Sequence, residues 1–384
     1  MKKDPVLERS QEINSWIEIN MEHLNHNIKL IGKKVGACVN LMPVVKADAY
    51  GHGSVHISKE LQKNPNVIGL AVSSVLEGIE LRQAGVSIPL FILEDSLPGQ
   101  EPLIIDYNLT PLIANFSMAK ELAIIAEKKQ KKVQVQIRIS IENSNMGIST
   151  TDLPDFINQI KEIKWLDLQG FFTHLYAAYN QNDKLVSHQL SEFNYALSIA
   201  QKMNLVLPLI HAASSPAILR YPDAYYNTVR PGTILYGLSS FDNQEDIGLK
   251  PVMQLKSKVA KVKSINAGGS ITAGYNKQSN CNINMRIATV PLGYSDALFL
   301  LKMKGGEVII NGGKAPIVGI PFMSHFLVDI SLLPDTYPGD EVVIFGIQGN
   351  RVIRVEDIAQ KAGIGTTNCE SICFLSSRVP RYIS

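Results

Sequence analysis

A lysine at the end of an apolar segment is the first residue of this sequence whose position suggests chemistry. Lys46 closes the run LMPVVK and is followed by ADAYGHG, which places a tyrosine and a histidine among glycines. Burying an ammonium group without a partner is costly, so an ordinary core strand has no use for this side chain. The position therefore indicates a chemical role for Lys46.

Other polar residues stand in the same place, at the end of an apolar run or in the loop that follows it: His174, Ser214, Ser215, Arg230, Gly232 and Thr233. Taken singly, each has an ordinary structural explanation, such as a solvated side chain, a backbone cap or a helix start. Together, hydroxyls and glycine N–H groups can hold a phosphate. A lysine facing such a phosphate site is the arrangement that pyridoxal phosphate requires, because its aldehyde is trapped by an amine and its phosphate is anchored.

The elements that must position these residues repeat eight times. Between residues 41 and 235, short apolar runs alternate with segments of helical period. The runs are LMPVVK, VIGLAV, IPLFIL, LTPLIA, VQVQIRISI, LQGFF, LPLIH and YNTVR. This rhythm predicts a closed parallel (β/α)8 barrel, with an open doubly wound sheet as the weaker alternative. In such a barrel the reactive residues gather where the strands end.

The pattern changes near residue 247 and becomes rich in strands punctuated by Gly and Pro, with NGG at 311–313 as a hairpin turn. We predict a barrel domain over residues 21–246 and a mainly antiparallel β domain over residues 247–384. The early strand at 13–20 is expected to join the second domain.

Bulk properties exclude several classes of protein. Lys and Arg number 37 against 35 Asp and Glu, a net charge of +2, and no basic run indicates nucleic acid or membrane as a partner. No segment resembles a signal peptide or a membrane span, so a cytoplasmic protein is expected. The four cysteines are too scattered for a disulfide framework, and His52 and His56 lack the glutamate of the helical zinc motif, so no metal site is expected.

Several motifs resemble the alanine racemase family of pyridoxal phosphate enzymes, in order and over nearly the whole chain. They are VVKADAYGHG, THL, HAASSPAILRYPDAYYNTVRPGTILYG, AGYNK, ATVPLGYSD, KAPIVGIPFMS and SRVPR. The resemblance implies a barrel followed by a β domain, an amino-acid substrate, and a homodimer whose active sites each take a tyrosine from the partner chain.

The resemblance also implies roles for single residues. Lys46 is similar to the lysine that forms the Schiff base and acts as one base, and Tyr275 to the second base. Tyr50, Ser215, Gly232 and Thr233 match phosphate-binding positions, Arg230 the residue facing the pyridine nitrogen, His174 its neighbour, and Met323 and Ser377 residues of the substrate pocket. Racemisation removes a proton from one face of the α-carbon and returns one to the other, so two bases on opposite sides are required.

The chain departs from the family pattern around the pocket. An arginine expected to bind the substrate carboxylate is absent, because Gly147 or Ile148 stands in its place, and Ser377 replaces a tyrosine of alanine-specific members. Three functions therefore remain open: an alanine racemase, a broad-spectrum racemase of larger amino acids such as serine, lysine or arginine, and a catalytically weak cofactor-binding protein. A related decarboxylase is disfavoured by Arg230 and Tyr275.

Overall fold

Short buried strands alternate with helices in the first two thirds of the chain. The computed structural model describes residues 13–142, 146–180, 182–238, 248–272, 278–280, 283–363 and 372–384. The first nine strands are β1 (Ser15–Ile19), β2 (Asn40–Leu41), β3 (Leu70–Val72), β4 (Leu90–Ile92), β5 (Leu112–Ile113), β6 (Val133–Arg138), β7 (Leu166–Phe172), β8 (Leu209–His211) and β9 (Thr228–Val229). The helices among them are α1 (Met21–Val35), α2 (Ser54–Leu61), α3 (Val75–Gln83), α4 (Glu101–Asp106), α5 (Phe116–Lys128), α6 (Leu153–Lys161), α7 (Asp183–Lys202) and α8 (Ser215–Arg220).

Strands β2 to β9 close into a ring. Regular parallel pairing joins β2 to β9, β3 to β4, and β5 through β8 in order. Single parallel bridges connect the three remaining pairs of neighbouring strands, β2 with β3, β4 with β5 and β8 with β9. The bridged residues are Val44 with Ala71, Phe91 with Thr110, and Ser214 with Arg230. An open sheet would leave two edge strands with only one neighbour each, whereas here each of the eight strands has two. The predicted (β/α)8 barrel is confirmed.

Local capping explains where several barrel helices begin. The side chains of Ser74, Asn115 and Asn182 accept hydrogen bonds from backbone N–H groups in the first turns of α3, α5 and α7. These N–H groups have no partner within the helix, so a short polar side chain at the N-cap stabilises the helix start.

The remaining strands form one large, mainly antiparallel sheet. They are β10 (Met253–Lys258), β11 (Lys261–Ile265), β14 (Met285–Val290), β15 (Glu307–Ile310), β16 (Gly313–Val318), β17 (Phe326–Asp329), β18 (Glu341–Gln348), β19 (Arg351–Ile353) and β20 (Arg381–Ile383). The order across the sheet is β11, β14, β17, β16, β15, β18, β10, β1, β20, and β19 pairs with β18. A separate hairpin joins β12 (Ser270–Thr272) to β13 (Gln278–Asn280), and α9 (Val355–Ala362) follows β19. The predicted antiparallel β architecture is thereby confirmed.

The NGG segment makes the predicted hairpin between β15 and β16. Asn311 and Gly312 have φ angles of 50° and 75°, and Ile310 pairs directly with Gly313. Two successive positive φ values match the twist of flanking antiparallel strands, which is why Asn-Gly favours such turns.

Two compact units make up the chain, one formed by residues 27–49 and 53–235 and the other by the remaining residues, including 50–52. None of the helices in the described ranges is long and apolar enough to cross a membrane. The same ranges contain no group of three or more His, Cys, Asp or Glu side chains arranged to hold a metal ion.

Candidate active site

Lys46 lies two residues after Val44, which bridges to Ala71 in the barrel. A left-handed turn begins directly after Lys46. Residues 47 to 50, none of which is glycine, have φ angles between 52° and 55°. A left-handed conformation costs a residue with a side chain on the order of 1–2 kcal/mol. Such strain persists only where the surroundings enforce it, and it is concentrated at functional sites.

Two carboxylates hold this turn in place. Glu77 accepts hydrogen bonds from the backbone N–H of Ala47 at 2.8 Å and of Ser73 at 2.7 Å. Asp48 accepts one from the N–H of Ser54 at 2.8 Å through its side chain. The contact with Glu77 gives the N–H of Ala47 an acceptor inside the left-handed turn. Together the two carboxylates tie the turn that follows Lys46 to Ser54 and Ser73.

The amine of Lys46 is accessible. Its Nζ donates to Glu94 Oε1 at 3.2 Å, and the two side chains are 38% and 47% exposed. An ion pair this exposed contributes about 0–1 kcal/mol, so it orients the amine without locking it. Lys46 can therefore leave Glu94 and react with a small electrophile.

Arg230 is the centre of a buried network in which every identified partner is neutral. Its two terminal nitrogens donate to His211 Nδ1 at 2.7 Å and to the backbone oxygens of His211, Thr173 and Ala212 at 2.9, 2.8 and 3.3 Å. The guanidinium also lies over the ring of Phe172, 5.6 Å from its centroid. These contacts engage only the terminal nitrogens and leave the Nε–H as the remaining donor.

The charge of Arg230 is retained despite its burial. Burial, and after it the positive charge of Arg138, lowers the pKa of Arg230 to about 9. The guanidinium therefore stays protonated at neutral pH. A buried cation without a carboxylate partner is stabilised by any electron-rich group that enters the site.

His211 fixes Arg230 in one orientation, and sequence reasoning missed it. Because Nδ1 accepts from Arg230, the imidazole proton lies on Nε2, which donates to Gln136 Oε1 at 3.1 Å. The ring also stacks on Phe172 at 5.0 Å, and burial together with Arg230 holds its pKa well below the ordinary value. In the sequence it is only the last letter of the run LPLIH, and the partners that give it a role come from other strands.

His174 is neutral for the same physical reason. Burial, followed by the positive charges of Arg230, Arg138 and Lys46, lowers its pKa to about 3. At neutral pH it can accept and donate hydrogen bonds but does not add a fourth positive charge. The charges of Lys46, Arg138 and Arg230 therefore all act on His174 at the strand-end face of the barrel.

The two histidines predict a loss of stability in acid. A histidine in the unfolded chain binds a proton near pH 6.5, whereas in the fold His174 does so only near pH 3 and His211 is also strongly lowered. Between these values the unfolded chain binds more protons, so the free energy of unfolding falls as the pH falls, by up to about 1.4 kcal/mol per pH unit for each histidine. We expect His211→Gln, which keeps an acceptor for Arg230, to make this slope shallower by about 1 kcal/mol per pH unit. Urea unfolding at several pH values between about 6 and 4.5 measures the slope, and equal slopes for both proteins would contradict the assignment.

The loop after β9 meets the start of α8. Ser215 Oγ accepts hydrogen bonds from the N–H groups of Gly232 at 2.9 Å and Ile234 at 3.4 Å. Thr233 begins a short 3-10 turn to Tyr236. Ser214 Oγ is buried and has no hydrogen-bond partner within the described chain. The structure thus brings the predicted phosphate-binding residues of the barrel together.

Four further predicted residues lie outside the barrel unit. The ring of Tyr50 lies 5.1 Å from that of Tyr236, on which His52 stacks at 4.4 Å. Met323 is 53% exposed, and Ser377 is also exposed. Tyr275 lies outside the described residues.

Arg138 is a second residue that sequence reasoning missed. It ends β6, and the negative charges of Asp95 and Glu94 act on its guanidinium. Its Nε is buried without a hydrogen-bond partner among the residues of known placement. In the sequence, an arginine inside the run VQVQIRISI gave no signal beyond its charge.

Comparison with known proteins identifies the family. Residues 19–240 match the N-terminal domain of alanine racemase, and residues 252–383 match the C-terminal domain. An alanine racemase of Halothermothrix orenii is 34% identical over 368 residues, which make up 96% of this chain and 96% of that protein.

Solved structures agree with these matches. The alanine racemase of Clostridium difficile has a TM-score of 0.90 at 31% identity, covering 97% of this chain and 96% of that one. An alanine racemase of Bacillus anthracis with bound L-Ala-P has a TM-score of 0.86 at 27% identity, covering 97% and 95%. Since both domains match in order over most of their length, this chain belongs to the alanine racemase family.

Proposed function

We propose that this protein is an alanine racemase that interconverts L- and D-alanine with two bases, Lys46 and Tyr275. The observation that carries the proposal is that several positive charges lie at the strand-end face of the barrel. The amine of Lys46 and the guanidinium of Arg230 both lower the pKa of His174 there. An amine and a buried cation around one small space suit an anionic cofactor and an amino-acid substrate.

The alanine racemase family depends on pyridoxal phosphate, and the residues present fit it. When bound, this cofactor supplies an aldehyde for an amine and a conjugated ring that stabilises negative charge at the α-carbon of an amino acid. Among the described residues Arg230 has no anionic partner and keeps a spare Nε–H, which a ring nitrogen can accept. Ser214 offers a buried hydroxyl that has no partner in the described part of the chain, beside Ser215, Gly232 and Thr233, and a phosphate can accept its hydrogen bond.

Each side chain then has one task. Lys46 holds the cofactor, and its amine accepts or returns the α-proton on one face of the substrate. Tyr275 does so on the opposite face. Arg230 keeps its proton at neutral pH because its pKa of about 9 is still above neutrality, so the proton stays on the guanidinium and none is transferred to the ring nitrogen. His211 and Gln136 hold Arg230 in this orientation.

Assembly and location complete the proposal. We infer a homodimer in the cytoplasm, in which Tyr275 and Met323 act at the active site of the partner chain. The resemblance of the motifs AGYNK and PFMS to those of the family supports this assignment. The same resemblance assigns Tyr50 to phosphate binding and Ser377 to the substrate pocket.

The relatives favour alanine over the broad-spectrum alternative, since they are named alanine racemases. We expect purified protein with added pyridoxal phosphate to convert L-alanine into a racemic mixture, with a higher kcat/KM than for serine, lysine or arginine. Chiral chromatography of each amino acid after incubation measures this, with heat-denatured protein as the control. A larger amino acid that outpaces alanine would favour the broad-spectrum function. Retention of the cofactor without any racemisation would favour a binding protein.

A further inference from the structure

We propose that Arg138 binds the α-carboxylate of the amino-acid substrate, an inference that rests on the proposed racemase function. Positions 147 and 148 hold Gly147 and the buried, apolar Ile148, and neither can form a charged hydrogen bond. A racemase that handles free amino acids must still orient a carboxylate. The barrel face therefore has to supply a cation from elsewhere.

The position of Arg138 follows from the geometry of β6. Side chains two residues apart on a strand point to the same side, and Gln136 on this strand reaches inward to His211. Arg138 is therefore on the inner side of the barrel, one step nearer to the strand end. Its neighbour across the sheet is Phe172, over whose ring Arg230 lies.

Charge interactions support this position of Arg138. Its charge acts on both His174 and Arg230, and it is itself acted on by Glu94, which pairs with Lys46. The amine of Lys46 and the guanidinium of Arg138 thus share Glu94 as an acidic neighbour, so both cations belong to the same end of the barrel.

Arg138 also has donors that no other proposed role uses. Both terminal nitrogens of Arg230 are occupied by neutral acceptors, and the amine of Lys46 is needed for the cofactor. The Nε of Arg138 is buried without a partner, and within the described ranges its guanidinium forms no ion pair. A planar guanidinium with free donors matches the two oxygens of a carboxylate.

The segment that follows β6 forms hydrogen bonds with the backbone at the end of this strand. The N–H of Ile148 donates to the carbonyl of Arg138 at 2.8 Å, and the N–H of Ser140 donates to the carbonyl of Ile148 at 2.9 Å. Gly147 has a φ of 94°, and a Cβ added there would lie 2.5 Å from the Arg138 carbonyl oxygen. This close packing fixes the backbone of Arg138 at the end of β6.

The test compares a ligand that has a carboxylate with one that has none. Propionate and isopropylamine are titrated into the holoprotein and followed by its absorbance and by calorimetry, in wild type, Arg138→Met and Arg138→Lys. Arg351→Met removes an exposed arginine of β19 and is the control. We expect Arg138→Met to weaken propionate binding by about 10- to 100-fold, as loss of a charged hydrogen bond does, with the KM for alanine rising in parallel. Arg138→Lys should recover part of the affinity, and isopropylamine binding should change by less than about twofold.

Unchanged propionate affinity in Arg138→Met would overturn the proposal, as would equal weakening of propionate and isopropylamine, which indicates a distorted site. If Arg138→Met does not fold, Arg138→Lys and Arg138→Gln carry the comparison, and either of them binding propionate as tightly as wild type overturns it. Failure of the racemase function is seen separately, as absence of racemisation by the wild-type holoprotein. Propionate binding that depends on Arg138 would still support the anchor in that case.

Discussion

Replacing Lys46 with alanine should abolish covalent retention of pyridoxal phosphate and reduce racemisation by at least about 10⁴-fold. The amine both holds the cofactor aldehyde and acts as a base, and a positioned acid-base group alone is typically worth about 10² to 10⁴ in rate. The visible absorbance of the holoprotein should disappear in the variant. In wild type, borohydride should fix the cofactor on the peptide that contains Lys46, which peptide mapping detects.

A matched control is Lys63→Ala, because Lys63 is an exposed lysine that pairs only with Glu60 at a helix end. This variant should keep the absorbance and the activity. Recovery of the cofactor on a lysine other than Lys46 in wild type would disprove the assignment.

Replacing Tyr275 with phenylalanine should lower kcat by about 10² to 10⁴, the usual contribution of one acid-base group. The effect should be asymmetric, because each base serves one face of the α-carbon. Exchange of the α-proton with deuterium in heavy water, followed by NMR for L- and D-alanine separately, should be suppressed much more for one enantiomer than for the other. Tyr337→Phe, at an exposed tyrosine, is the control. Equal loss for both enantiomers would contradict a two-base mechanism.

Mixing the two inactive variants tests whether Tyr275 acts across the dimer. A hybrid dimer has one site with both Lys46 and Tyr275 intact and one with neither, so random exchange of subunits should restore about a quarter of the wild-type sites. Subunits that demonstrably exchange but recover no activity would show that each site is built within one chain.

Local patterns in the sequence determined the fold class and indicated several candidate site residues. Eight apolar runs separated by helical segments predict a barrel because burial on both faces makes each strand uniformly apolar. Lys46 and Arg230 could be identified because a charged residue that ends an apolar run must lie at a strand end. The NGG hairpin could be predicted because the φ angles of Asn311 and Gly312 are a local property of those residues.

Only the tertiary structure decided what surrounds these residues. The roles of His211 and Arg138 depend on partners that are distant in the sequence, since Gln136 and His211 meet only when β6 and β8 close into the barrel. The neutrality of His174 at pH 7 likewise comes from burial and from three positive charges on other segments. A residue type and its neighbours determine strand and turn, but hydrogen-bond partners, pKa values and free donors are set by the closure of the ring. Because closure of the barrel places Arg138 on its inner side, a residue that the sequence pattern did not single out becomes the proposed carboxylate-binding residue.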